Sequence, residues 1–227
     1  MSDLSEEFKK YAKLDRNVKD YNLEEYNESL KNMTSTVIEE RKTHFREVDV
    51  FSRLIMDRII FLGSEINSDI ANIIVAQLLF LESVDKTSPV SLYINSPGGE
   101  IYSGLSIYDT MQFVKPEIVT VCTGLGASMA AILLAGGEKG KRFALEHSRI
   151  MIHQPSGGAR GQASDVEVSL NQLLEMKKEL YEILSVCTGK SISDIEADSN
   201  RDYWMNSKEA KEYGLIDDIF EDKKSMR

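Results

Sequence analysis

Hydrophobic and polar positions change rhythm repeatedly from Val50 onward, and each change marks an element. Arg58 to Gly63 is a short apolar run closed by a glycine, the pattern of a buried strand. Asn67, Ser68 and Asp69 supply cap-type residues. Ile70, Ile73, Ile74, Leu78, Leu79 and Leu81 then recur at helical spacing to about Ser83. Val90 to Asn95 predicts a strand, Ser96-Pro-Gly-Gly99 a tight turn, and Ile101 to Val114 a helix with Pro116 just beyond it. Ile118 to Thr123 predicts a third strand and Gly124 to Ala127 a turn. Ser128 to Ala135 predicts a short apolar helix ended by Gly136 and Gly137, and Arg149 to His153 another strand. This alternation argues for an α/β domain whose working residues sit at the C-terminal ends of strands.

A glycine-rich link (Gly157, Gly158, Gly161) leads into a predicted helix from about Ser164 to Thr188. Its apolar positions, from Val166 to Val186, are too many for one narrow stripe, so it is expected to be buried or to contact another subunit. Asn206 with Glu209 makes a capping-box pattern, for a helix that stops at Gly214. Leu215 to Glu221 predicts a last short strand. Residues 1 to about 33 differ from the rest: charges are dense and mixed, apolar residues sparse, and neither glycine nor proline occurs. That stretch predicts a marginal helix or a disordered arm that contributes nothing to a core.

Composition narrows the function classes. The 227 residues, 42% hydrophobic and 28% charged, suit one sizeable globular domain. No apolar run reaches the ~18 residues that span a bilayer, and the polar N-terminus does not resemble a secretory signal. A cytoplasmic location and no membrane partner are expected. The net charge of −10 repels a phosphate backbone, so nucleic acid is not an expected partner. Cys122 and Cys187 lie in apolar stretches and predict buried, reduced thiols. Neither they nor the three histidines (His44, His147, His153) have zinc-ligand spacing, so no metal or cofactor is expected.

Candidate chemistry gathers at two strand-to-helix turns. In Gly126-Ala-Ser128-Met-Ala130, small residues let the chain turn sharply and present a hydroxyl where a helix begins. The same serine also suits an ordinary N-cap, and Ala130 stands where such an elbow usually carries its second glycine. At Ser96-Pro-Gly98-Gly99, the Gly99 amide paired with that of Met129 makes a candidate oxyanion hole; the alternative is a plain turn. His153, at a strand end, has the best context of the three histidines for a general base, against a structural role. Asp194, Asp198, Asp202, Asp217 and Asp218 are candidates to orient it. Spacing does not choose among them, although Asp202 falls in a predicted loop between two helices.

These segments stand in register with a known family. Tyr93-Ile-Asn-Ser-Pro-Gly-Gly99, Ser106-Ile-Tyr-Asp-Thr-Met-Gln112, Gly126-Ala-Ser-Met-Ala130, Met151-Ile-His-Gln-Pro155 and Lys208-Glu-Ala-Lys-Glu-Tyr-Gly-Leu-Ile216 closely resemble the ClpP family of caseinolytic serine peptidases. The likeness runs from about residue 34 to 220. It implies an α/β fold, a ClpP/crotonase-like spiral of β-β-α units with a protruding handle made of a strand and a long helix. It implies Ser128 as nucleophile, His153 as base, Asp202 as the residue that orients it, and Gly99 and Met129 as oxyanion donors. Ser156 and Gly157 resemble the strand that pairs with the substrate backbone. Leu54, Tyr93 and Phe113 resemble the pocket on which an unfoldase docks. The family stacks two heptameric rings into a tetradecamer around a closed chamber. An AAA+ unfoldase of the Clp type feeds it unfolded polypeptides, and the protease itself uses no metal or nucleotide.

By the same likeness, residues 1–33 form an N-terminal extension that resembles a propeptide by position, and 34–227 the peptidase domain. Two positions depart from the family pattern. Asn200 precedes Arg201 where many relatives carry an acid that pairs with arginine across the ring interface. Ser91 stands where some carry an aromatic in the docking pocket. Two other readings remain at this stage: a crotonase-type acyl-CoA enzyme, and a ring subunit that serves only as a scaffold.

Overall fold

Alternate residues of the strand Val90–Ser96 face inward: Val90, Leu92, Ile94 and Ser96 are buried and the residues between them are not. This is the period-two pattern of a strand packed on one face. The computed structural model describes residues 37–41, 44–158 and 160–220, and the predicted N-terminal extension lies outside them. Among the described residues the elements are β1 (Val37–Arg41), β2 (His44–Val48), α1 (Val50–Met56), β3 (Ile59–Leu62), α2 (Ser68–Val84), β4 (Val90–Ser96), α3 (Ile101–Phe113) and β5 (Ile118–Ala127). They continue with α4 (Met129–Ala135), β6 (Arg142–Leu145), β7 (Arg149–Ile152), α5 (Ala163–Thr188), α6 (Ile192–Asp198), β8 (Tyr203–Asn206), α7 (Ser207–Tyr213) and β9 (Asp218–Phe220).

Strands β3, β4, β5, β6 and β9 form a parallel sheet in that order, and β1 and β2 a separate antiparallel pair. The sheet branches at β5. Its first half pairs with β6 through Thr120–Cys122; its second half pairs with β7 through Leu125–Ala127. Strand β7 then takes β8 antiparallel on its other side. Sequence predicted a turn at Gly124–Ala127, but the strand runs on. Between β4 and β5 the register jumps from Ile94↔Cys122 to Ser96↔Gly126. The Leu125 N–H freed by this irregularity donates to the Asn95 side-chain oxygen at 3.0 Å, so a side chain replaces the missing main-chain acceptor.

Helix α4 is buried on every side, from Met129 to Ala135, and carries no polar side chain. With α2, α3 and the sheet it forms the core, in which Ile73, Ile74, Leu78, Leu81, Ile107 and Leu133 are almost fully enclosed. Helix α5 behaves differently along its length. Leu180, Tyr181 and Leu184 reach the core, whereas Val168 (69%), Leu170, Leu174 and Val186 (83%) are exposed. Of the two expectations, burial or a subunit contact, burial holds for Leu180, Tyr181 and Leu184, while Val168, Leu170, Leu174 and Val186 face outward in the single chain. No helix among the described residues is long and apolar enough to cross a membrane.

A buried ion pair ties the sheet to its C-terminal edge. Arg142 grips Asp217 with Nε and Nη2, at 3.0 and 2.7 Å, and donates Nη1 to the carbonyls of Ala135 and Cys187. Burial pushes the Asp217 carboxyl up, but the hydrogen bonds from Arg142 and the Gly140 amide outweigh it and hold the group below the usual carboxylate range. Both cysteines are free; Cys122 is buried and Cys187 half-buried, and burial pushes both thiols up.

Candidate active site

Two ladders of backbone hydrogen bonds bring the candidate residues to one place. Strand β5 pairs with β7 up to Ala127↔Met151, and the Ser128 N–H continues the ladder to the Met151 carbonyl at 2.8 Å. Strand β7 pairs with β8 down to Ile152↔Tyr203, so the next residues outward are His153 and Asp202. Ser128, His153 and Asp202 therefore stand at the ends of three neighbouring strands. The His153 Nε2 lies 2.7 Å from the Ser128 Oγ, and its Nδ1 lies 3.4 Å from the Asp202 carboxylate, longer than a good hydrogen bond. Asp202 is well exposed, at 61%. Its loop is tied to the histidine's neighbour: Gln154 donates its N–H to the Ser199 carbonyl (2.7 Å) and its side-chain amide to that of Asn200 (3.0 Å). Asp202 joins helix α6 to strand β8, not two helices as the sequence suggested, because Tyr203–Asn206 pairs with β7.

The alternative role of Ser128 as a cap does not describe its geometry. Its φ is 56° and ψ −124°, a region that side-chain-bearing residues rarely occupy, and its hydroxyl makes no capping bond to α4. Such a conformation costs about 1–3 kcal/mol and points the oxygen away from the helix, toward His153. The helix below it is packed too tightly to relax that strain.

The second turn closes over the first. Gly98 (φ 91°) and Gly99 (φ 150°) both adopt backbone conformations open to glycine. A Cβ on Gly98 would lie 2.7 Å from the Ser128 Cβ and 2.9 Å from the Met129 nitrogen, so the two turns touch. Gly99 bridges to Ile66 in parallel register: the Ile66 N–H donates to Gly98, and the Glu100 N–H to Ile66. In that pattern the Gly99 N–H points away from Ile66. Met129 is the first residue of α4, where an amide has no partner within its own helix.

A cleft of about 350 Å³ opens here, lined by Gly99, Ser128 and His153 on its polar side and by Ile101, Ile132 and Leu184 among its apolar residues. Ser156 shares it; Ser156, Gly157 and Gly158 are exposed and belong to no strand, and they border a second, larger hollow beneath α5. The remaining carboxylate candidates are engaged elsewhere. Asp217 holds Arg142, Asp218 pairs with Lys211, Asp198 accepts the Tyr213 hydroxyl, and Asp194 bonds Ser191. His147 is exposed in the turn before β7, and the His44 side chain lies outside the described residues. Leu54 sits half-buried on α1, Tyr93 and Ser91 half-buried on β4, and Phe113 at the end of α3 with 76% exposure. Sequence reasoning missed Gln154 and Glu65, a further residue of the cleft. Glu65 follows no motif, and Gln154 shows its role only through contacts with a loop distant in sequence. Among the described residues no group of three or more His, Cys, Asp or Glu is arranged to hold a metal ion.

A family model described as Clp protease matches residues 39–223. A Porphyromonas gingivalis protein is 53% identical over 216 residues, covering 95% of this chain and 97% of that protein. A Bacteroides fragilis protein is 57% identical over 183 residues, covering 81% of this chain and 88% of its own length. Both are named ATP-dependent Clp protease proteolytic subunit. A Salinibacter ruber protein, 54% identical over 183 residues (81% of this chain, 78% of that protein), is named as subunit 1 of the same kind.

Proposed function

Since the chain belongs to the Clp protease family, we propose that Ser128 is its nucleophile, served by His153, Asp202 and the amides of Gly99 and Met129. The chain is a Clp-type serine endopeptidase, the proteolytic subunit of an ATP-dependent protease. The observation that carries the residue assignment is the 2.7 Å contact between His153 and a serine oxygen that its backbone has withdrawn from capping.

The His153 Nε2 takes the Ser128 proton as Oγ attacks a peptide carbonyl carbon. The carbonyl oxygen becomes an oxyanion between the Gly99 and Met129 N–H groups, each worth roughly 3 kcal/mol of barrier in comparable sites. His153 then passes its proton to the leaving amine and the C–N bond breaks. Water repeats the sequence on the acyl-enzyme, with His153 again the base. Asp202, 3.4 Å from Nδ1, draws the ring proton to that nitrogen, the tautomer that leaves Nε2 free to accept. Ser156 and Gly157 offer unpaired main chain to an extended substrate, consistent with their exposure beside the cleft. An acyl-CoA enzyme would leave the Ser128–His153 contact without a role.

The subunit works within an assembly and with an ATPase partner. We assign the finer arrangement to two stacked heptameric rings in the cytoplasm, fed with unfolded polypeptides by an AAA+ unfoldase docked on Leu54, Tyr93 and Phe113. The outward apolar residues of α5 support subunit contact, and the 76% exposure of Phe113 supports docking. Residues 1–33 are assigned to an extension and 34–227 to the peptidase domain. Ser128→Ala is expected to lower kcat/KM for a fluorogenic tripeptide by about 10³-fold or more. Native mass spectrometry should show the same assembly for variant and wild type. Cleavage by the variant at the wild-type rate removes Ser128 from the mechanism.

A further inference from the structure

We propose that Glu65 selects substrates that carry a cationic side chain close to the scissile bond, an inference that rests on the peptidase reading above. Glu65 lines the same cleft as Ser128, His153 and Ser156, and no other residue of that lining carries a permanent charge. Its place is fixed by its neighbour. Ile66 is 1% exposed and bonded in both directions to the glycine turn, from its N–H to Gly98 (2.8 Å) and from the Glu100 N–H to its carbonyl (2.9 Å). Glu65 is thus one residue from the segment that presents the Gly99 amide, and those bonds hold its main chain at the cleft edge. It is exposed, and among the described residues its carboxylate joins no ion pair.

The surrounding charges add to its field. Asp202 stands 3.4 Å behind the His153 ring, Glu100 accepts the Ser103 hydroxyl near the same turn, and neither lysine nor arginine lines the cleft. A lysine or arginine side chain beside the scissile bond therefore meets attraction with no cation in the cleft lining to oppose it. An acidic one meets the repulsion of Glu65. Because Glu65 is open to water, the preference is modest: an exposed ion pair of this kind corresponds to about three- to five-fold in kcat/KM.

The test uses the full-length protein and internally quenched peptides of one apolar sequence. A single lysine is walked through the positions on either side of the scissile bond, with glutamine at the same positions as the uncharged comparison. Mass spectrometry fixes the bond that is cut. Wild type is expected to prefer lysine over glutamine by about three- to five-fold at the position that reaches Glu65. Glu65→Gln should bring that ratio to about one, and Glu65→Lys should turn it below one, in favour of glutamine. A lysine-to-glutamine ratio near one at every position, with the glutamine peptides cleaved, overturns the proposal. So does a ratio that survives in Glu65→Gln. If the glutamine peptides are not cleaved, or are cleaved equally by Ser128→Ala, the peptidase reading itself fails and this proposal falls with it.

Discussion

Replacing Gly98 by alanine should disable the enzyme without unfolding it. The added Cβ would lie 2.6 Å from the Ala127 carbonyl oxygen, 2.7 Å from the Ser128 Cβ and 2.9 Å from the Met129 nitrogen. Carbon atoms in good contact sit about 3.5–4.0 Å apart, so the two turns must separate by about 1 Å. Ser128 is held from below by α4, a fully buried helix, so most of that movement falls on the Ser96–Gly99 turn. There it displaces the Gly99 amide from the oxyanion position proposed for it. A misplacement of about 1 Å costs about 10²-fold, and losing one oxyanion donor about 10²–10³-fold. The expected fall in kcat/KM is therefore about 10²–10³-fold. The φ of 91° adds backbone strain for any residue with a Cβ, which affects stability more than chemistry. The assay is hydrolysis of a short fluorogenic peptide, with the assembly verified by native mass spectrometry. Labelling by a fluorophosphonate should slow in parallel, because that reagent also needs the oxyanion amides. Activity within about three-fold of wild type, in an intact assembly, would refute the placement of Gly98 against the nucleophile.

Other expectations follow from the same geometry. Ser128→Gly removes the strain of φ 56°, whereas Ser128→Ala keeps it. Both should be inactive, with the glycine variant more stable by about 1 kcal/mol in urea midpoints at one protein concentration. Equal midpoints would mean the serine backbone is unstrained. Asp217→Asn leaves Arg142 buried without its charge partner and should destabilise the protein by about 3 kcal/mol at pH 7. The Asp217 carboxyl titrates below its unfolded value, so the contribution is full above about pH 4 and fades as pH falls through the folded value. The gap between wild type and variant should close in acid; a gap unchanged from pH 7 to pH 3 would contradict the pairing.

Much of the architecture was legible because its elements are strongly periodic. Helix α2 was predicted from its apolar spacing and cap residues and found at Ser68–Val84, and the Asn206–Glu209 capping box is formed as expected. Short elements were legible where an apolar run marked them, as at β3 and β7, and missed where none did. Strands β6 and β8 lack such a run and owe their existence to partners far along the chain. The continuation of β5 was hidden for a related reason. Gly124 and Gly126 signal a turn locally, and only Asn95, reaching from the neighbouring strand, makes the extended form complete. At the site, whether the Ser128 side chain caps its helix was not legible, since that depends on a backbone angle. Five carboxylates were equally plausible partners for His153 from their spacing. The β7–β8 register places Asp202 opposite it and leaves the others bound elsewhere.

The two strand ladders that end at this site work as a ruler. A one-residue slip of β7 would carry His153 about 3.3 Å along the strand and turn its ring to the opposite face. The distance between His153 and Ser128 is thus stored in main-chain hydrogen bonds, which any residue but proline can make. Outward side chains on these strands, such as the half-exposed Trp204, never enter that measurement. Side chains on the surface around the cleft can therefore be exchanged, for new partners or new substrate preferences, without moving the two residues beneath it apart.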